Sequence, residues 1–83
     1  MDEKQRRSGF RALLESHKTN SSHLMDADGE FRLWRDLSAE GKIESIARDA
    51  VYYDVPFEQF AQAVRESVDS TAIEEAALRF GDA

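Results

Sequence analysis

The residues best suited to chemistry are the carboxylates of the run Asp26-Ala27-Asp28-Gly29-Glu30. Carboxylates at alternate positions followed by glycine are typical of a calcium-binding EF-hand loop. If Asp26 took the first position of such a loop, Phe31 would stand where glycine is needed and Leu37 where a bidentate glutamate is needed. The spacing therefore predicts a turn, with Asp28 as an N-cap, and no calcium site.

Metal and catalytic residues are otherwise scarce. His17 and His23 are the only histidines, neither has a local His or Glu partner at zinc-ligand spacing, and there is no cysteine. The chain also lacks a Gly-rich phosphate loop and a Ser-His-Asp pattern that could meet in one pocket. We therefore predict a protein that is not an enzyme, with no catalytic residue, no bound metal and no cofactor.

Length and charge restrict the class of partner. The 83 residues are enough for one domain, and the net charge is −6. The charge is uneven, because residues 1–18 hold five cations against three acids and residues 57–83 hold two cations against six acids. An acidic chain does not favour binding through phosphate contacts. No apolar run approaches a membrane span, so we expect a cytoplasmic protein without a membrane partner.

Two apolar stripes at helical spacing lie at the centre of the chain and must position any site. The first consists of Ile43, Ile46, Ala47, Ala50 and Val51, and the second of Phe57, Phe60, Ala61, Val64 and Val68. Between them, Asp54 is expected to cap the second helix and Pro56 to occupy its first turn. This pattern predicts a helical hairpin or a helix-turn-helix corner.

The flanking segments also show helical patterns. A first helix is predicted from Ser8 or earlier, a short helix over Glu30–Leu37, and an N-cap at Ser38 for the helix of the first stripe, which should end near Tyr53. A last helix is predicted from the capping box of Thr71 and Glu74 to Phe80. The fold class is therefore all-α, a compact bundle of four to five short helices. Residues 1–7 should be a flexible basic N-terminal arm, and residues 8–83 a single helical domain.

One central segment resembles a known family. The residues that carry the resemblance are Ser38–Ile43, Tyr52, Val55-Pro56 and Phe60. Together they are similar to the later part of the small nucleoid-associated Hha and YmoA proteins. Gly41 and Lys42 stand where that family carries a His-Arg pair. The resemblance implies binding to another protein.

Aromatic residues suggest how the protein acts. Eight aromatics are many for so thin a core, and Trp and Tyr are favoured at interfaces. Because Tyr52 and Tyr53 are adjacent in a helix, they cannot both face one core. The candidate binding residues are Trp34, Tyr52, Tyr53 and Glu58. We expect a small, acidic protein-protein interaction module, a regulator or adaptor, which could also form a homodimer.

Two alternatives involve nucleic acid. The first is a dimeric helix-turn-helix DNA-binding regulator that uses residues 43–68, although Glu58 and Glu66 would meet phosphates unfavourably. The second is an acidic DNA-mimic inhibitor, which the interspersed cations make less favourable. The sequence favours binding to another protein over both.

Overall fold

The computed structural model describes residues 2–68. In chain order they form α1 (Glu3–Thr19), β1 (Leu24–Met25), β2 (Phe31–Arg32), a single 3-10 turn (Trp34–Asp36), α2 (Ala39–Tyr53) and α3 (Phe57–Ser67). The predicted bundle of four to five helices is wrong, because the described part combines three α-helices with a small antiparallel sheet. The helix predicted over residues 71–80 lies outside the described residues.

Helix α1 begins earlier than its apolar stripe indicated. Asp2 and Gln5 form a capping box, in which the Asp2 carboxylate accepts from the Gln5 N–H at 2.8 Å and the Gln5 Oε1 accepts from the Asp2 N–H at 3.0 Å. Residues 3–7, predicted as a flexible basic arm, are therefore placed in the first turns of α1. Their mobility in solution stays a prediction that amide hydrogen exchange can test.

A β-hairpin replaces the start of the helix predicted over Glu30–Leu37. Leu24 pairs with Arg32 and Met25 with Phe31. Gly29 turns the chain with a φ of 86°, a conformation that glycine adopts without strain. In this loop the Asp28 carboxylate accepts from the Glu30 N–H at 3.0 Å, so Asp28 stabilises a turn and caps no helix. Phe31, Trp34 and Leu37 have the spacing of residues on one helix face. They do not share one environment, because Phe31 is exposed while Trp34 and Leu37 are buried.

The buried carboxylate of Asp26 ties the hairpin to the start of α2. It accepts hydrogen bonds from the Ser38 hydroxyl at 2.6 Å, the Ser38 N–H at 3.1 Å and the Ala27 N–H at 2.8 Å. Ser38 is the N-cap of α2, as predicted, and its Oγ accepts from the Gly41 N–H at 3.0 Å. The cap is thus held in place by a residue twelve positions earlier.

Gly41 allows this close approach, and its replacement should destabilise the fold. A Cβ at position 41 would overlap the Asp26 Oδ1 atom. We expect Gly41→Ala to lower the free energy of unfolding by about 1–3 kcal/mol, because overpacking outweighs the better helix propensity of alanine. Urea unfolding measures the difference. The control is Glu44→Ala at an exposed position of α2, expected to stay within about 0.5 kcal/mol of wild type. Equal stability of the two variants would contradict the close packing of α2 on Asp26.

The core lies where α1 and α3 each pack against α2. Its buried apolar residues are Phe10, Leu14, Trp34, Leu37, Ile46, Ala50, Ala63 and Val68. The buried face of α2 also includes Ser45 and Asp49. The two predicted stripes are only partly buried, because Val51 is 80% exposed and Phe57 is 76% exposed. Phe57, which the second stripe assigned to an apolar helix face, is therefore not part of the core.

The connection between α2 and α3 is a tight corner. Asp54 ends α2 in the left-handed region, with a φ of 51°, and its N–H donates to the Val51 carbonyl at 3.2 Å. The Val55 N–H donates to the Ala50 carbonyl at 3.1 Å. Pro56 then precedes α3 as its N-cap residue. Asp54 therefore terminates α2, and the prediction that it caps α3 is wrong.

Within residues 2–68, none of the helices has the length and apolar character required to span a membrane.

Candidate functional site

The four predicted binding residues fall in different environments. Tyr52 is 77% exposed, and Glu58 is exposed in the first turn of α3. Tyr53 is half-buried, and its ring lies so close to Gly9 that a Cβ there would overlap it. Trp34 is buried, so its side chain is not available on the surface. The structure thus places Tyr52 and Glu58 at the α2–α3 corner and separates them from Trp34.

An apolar groove lies at this corner, and we call it the corner groove. It has a volume of ≈ 380 Å³ and is lined by Ala47, Ala50, Val51, Asp54, Val55, Phe57 and Phe60. Val51 and Phe57, on its two walls, are among the most exposed large apolar side chains of the described residues. The rings of Phe57 and Phe60 lie 5.9 Å apart, centroid to centroid. An exposed apolar groove of this kind is typical of an interaction site.

The local sequence explains why these side chains remain exposed. Ala50 faces the core, and Val51 is rotated by about 100° from it around the helix axis. Phe57 is the first residue of α3, before the turn in which Phe60 packs against the core. Because only Asp54, Val55 and Pro56 separate the helices, the end of α2 and the start of α3 form adjacent walls.

Carboxylates border the corner groove. On α2, Glu40 and Glu44 are exposed and lie in line with Ala47 and Val51, at helical spacings of three and four. At the corner, the Asp54 side chain is 89% exposed, and Glu58 follows Phe57 directly.

Cations near the corner groove are fewer. Arg48 is exposed beside Ala47, and Arg65 lies two turns beyond Glu58 along α3. The Arg6 Nη1 atom is 3.8 Å from the Asp54 Oδ2 atom, a long contact between exposed groups. The rim next to Val51 and Phe57 is therefore acidic.

A second cleft, which Tyr52 helps to line, contains a His–Asp pair. It has a volume of ≈ 450 Å³ and is lined by Leu13, His17, Leu24, Ser45, Arg48, Asp49, Tyr52 and Tyr53. The His17 Nδ1 and Asp49 Oδ2 atoms are 3.1 Å apart, and neither makes a well-directed hydrogen bond with any residue of the described range. Burial raises the pKa of Asp49, while the charges of His17 and Arg48 oppose that rise.

Within residues 2–68, no hydrogen bond joins this pair to a nucleophilic side chain. Ser45 lines the same cleft, but it is 2% exposed and no hydrogen bond joins it to His17. A nucleophile needs to lie within hydrogen-bond reach of its base. The pairing of His17 with Asp49 was not predicted from the sequence, although Asp49 interrupts the apolar face of α2 three residues after Ile46. The observed geometry favours a structural role for the pair.

Two of the three carboxylates in the hairpin loop, Asp26 and Asp28, are paired with one cation of the same hairpin. The Arg32 guanidinium donates to both carboxylate oxygens of Asp28 and to Asp26 Oδ2, each at 2.8 Å. The hydrogen bond from Arg32 lowers the pKa of Asp28 to about 2. Within residues 2–68, no three His, Cys, Asp or Glu side chains are grouped to hold a metal ion.

The exposed side of α3 carries few groups that would bind DNA. Glu66 accepts from the Gln62 amide at 3.0 Å and from Arg11 Nη1 at 3.4 Å. Glu58 is exposed at the start of the helix, where a recognition helix would approach the major groove. Arg65 is the single cation of α3. These charges do not favour phosphate contacts.

Comparisons with known proteins add no relative. No protein-family model, curated protein or solved structure matches this chain.

Proposed function

We propose that this protein is a non-enzymatic protein-protein interaction module, a small regulator or adaptor, and that it binds its partner through the corner groove. The observation that carries the proposal is the exposure of both Val51 and Phe57, which line the same apolar groove from α2 and α3. Burying two large apolar side chains that are otherwise in water favours association. Tyr52 extends this surface beside Val51 and offers a hydroxyl for a polar contact at its edge.

Substitution at the corner groove tests this function. We expect Phe57→Ala and Val51→Ser to lower partner capture from extracts of the source organism at least about tenfold, because truncated interface anchors often cost more than 1.4 kcal/mol. Capture is measured by affinity purification and quantitative mass spectrometry. Both residues are exposed, so the circular dichroism spectrum should stay unchanged.

Phe31 supplies the matched control for this experiment. It is an exposed phenylalanine, at 62%, but it lies on β2 of the hairpin. Phe31→Ala should leave capture at the wild-type level. If Phe57→Ala and Phe31→Ala bind the same proteins equally well, the corner groove is not the binding surface.

A further inference from the structure

The charge around the corner groove identifies the chemistry of its partner, an inference that rests on the function proposed above. On α2, Glu40 and Glu44 are aligned along the helix with Ala47 and Val51, which line the groove. On α3, Glu58 directly follows Phe57. Asp54, between the two helices, also lines the groove, and its carboxylate is exposed although Arg6 Nη1 lies 3.8 Å from it. An occupant with cations beside its apolar side chains would meet a complementary surface on both walls.

The shape of the groove favours a helical occupant. Its walls are two helices joined by a tight corner, and its apolar lining extends from Ala47 along α2 to Val51 and across to Phe60. Ala47 and Val51, which line the α2 wall, are four residues apart, about 6 Å along the helix axis or slightly more than one turn. An amphipathic helix presents its apolar residues at the same interval, at positions i, i+3, i+4 and i+7.

We propose that the corner groove accepts the apolar face of a basic amphipathic helix from a partner protein. Apolar side chains of that helix pack against Val51, Phe57 and Phe60. Lysine or arginine residues on its flanks lie near Glu44 and Glu58. The chain's net charge of −6 attracts such a partner at longer range and increases its rate of association.

Two designed peptides test this proposal directly. Both carry leucine at i, i+3, i+4 and i+7 in an alanine-rich helix; one has lysine at the flanking positions and the other has glutamate. Each is titrated into the full chain and followed by fluorescence anisotropy. We expect the lysine peptide to bind at least about tenfold more tightly at about 50 mM salt, and the difference to shrink as salt screens the charges.

Charge reversal in the protein locates the effect. Glu44→Lys and Glu58→Lys should each weaken binding of the lysine peptide several-fold and improve binding of the glutamate peptide. Glu30→Lys makes the same charge change in the exposed hairpin loop, away from the groove, and should have a much smaller effect. Equal binding of the two peptides, or equal effects of Glu58→Lys and Glu30→Lys, would overturn the inference.

The outcomes also separate this inference from the proposed function. If neither peptide binds while Phe57→Ala still abolishes partner capture, the interaction surface stands and the basic-helix partner is wrong.

Other occupants of the corner groove would give different experimental results. A dimer in sedimentation analysis that Val51→Ser dissociates would assign the groove to a second copy and overturn the inference. Tighter lysine-peptide binding by Phe80→Ser, a residue outside the described range, would assign it to the chain's own C-terminal segment, with the same consequence.

Discussion

Asp26→Ala is expected to lower the free energy of unfolding by about 2–4 kcal/mol, the loss typical of removing a charged acceptor and leaving its donors unsatisfied. The Asp26 side chain is 6% exposed, and it accepts from two groups of Ser38 as well as from Ala27 and Arg32. Its removal separates the hairpin from the cap of α2. Because a domain of this size has little stability to spare, the variant should be partly unfolded at moderate urea.

The effect of Asp26→Ala should depend on pH in a defined direction. Burial opposes ionisation of Asp26, but the hydrogen bonds from Ser38, Ala27 and Arg32 outweigh it and hold its pKa below the ordinary value. A carboxylate with a lowered folded-state pKa stabilises the fold above its unfolded pKa, near 3.9, and loses that contribution as pH falls through the folded value. Urea unfolding at pH 7 should show the full difference from wild type, and unfolding below about pH 4 a smaller one. A difference independent of pH would contradict the charged role of Asp26.

The second large effect is expected at the His17–Asp49 pair. His17→Ala leaves the Asp49 carboxylate buried, at 7% exposure, without its neighbouring imidazole. We expect a loss of about 2–4 kcal/mol at pH 7, because removing one partner of a buried pair leaves an uncompensated charge. Asp49→Asn alone should cost little or even stabilise, since it replaces a buried charge with a neutral group of similar shape.

The double variant and the pH dependence identify the cause of this loss. The double variant His17→Ala, Asp49→Asn should recover part of the stability lost in His17→Ala. The loss that remains is due to the cavity left by the imidazole. A carboxyl group with a raised folded-state pKa, such as Asp49, favours the fold below its unfolded pKa and loses that contribution as pH rises through the folded value. The free energy of unfolding of Asp49→Asn should therefore increase relative to that of wild type as pH rises above about 4. Additive losses at every pH would mean that the two side chains do not interact.

Local signals in the sequence predicted the central helices well. Ser38 is the N-cap of α2 and the helix ends at Tyr53, both as predicted, whereas α3 begins directly after Pro56, which was predicted to lie inside its first turn. These features depend on residues close in sequence, where hydroxyl caps and proline geometry have strong preferences. The hairpin was missed because its stability depends on Asp26 reaching Ser38, a contact that no periodic pattern shows.

The candidate site was only partly predictable for a related reason. Periodicity assigned Val51 and Phe57 to apolar stripes, but it cannot show which edge of a stripe the neighbouring helix covers. Ser45 and Asp49 occupy the buried face of α2. The helix is therefore oriented about its axis so that Val51 lies in solvent. The adjacency of Tyr52 and Tyr53 was more informative, since two consecutive helical residues must face different directions. Trp34 was predicted as a binding residue from its residue type alone. It is buried, and its burial depends on contacts distant in sequence.

The measurement that tests the central claim most directly is NMR mapping of the complex with the captured partner. The full chain, labelled with ¹⁵N and with ¹³C methyl groups, is titrated with that partner while amide and methyl shifts are followed. We predict the largest changes at the methyl groups of Ala47, Val51 and Val55 and at the amides of Asp54, Val55, Phe57 and Glu58, with little change at Met25 and Phe31 on the hairpin. Changes centred on the hairpin or on α1, with the Val51 methyl groups unaffected, would contradict the assignment of the corner groove as the binding surface.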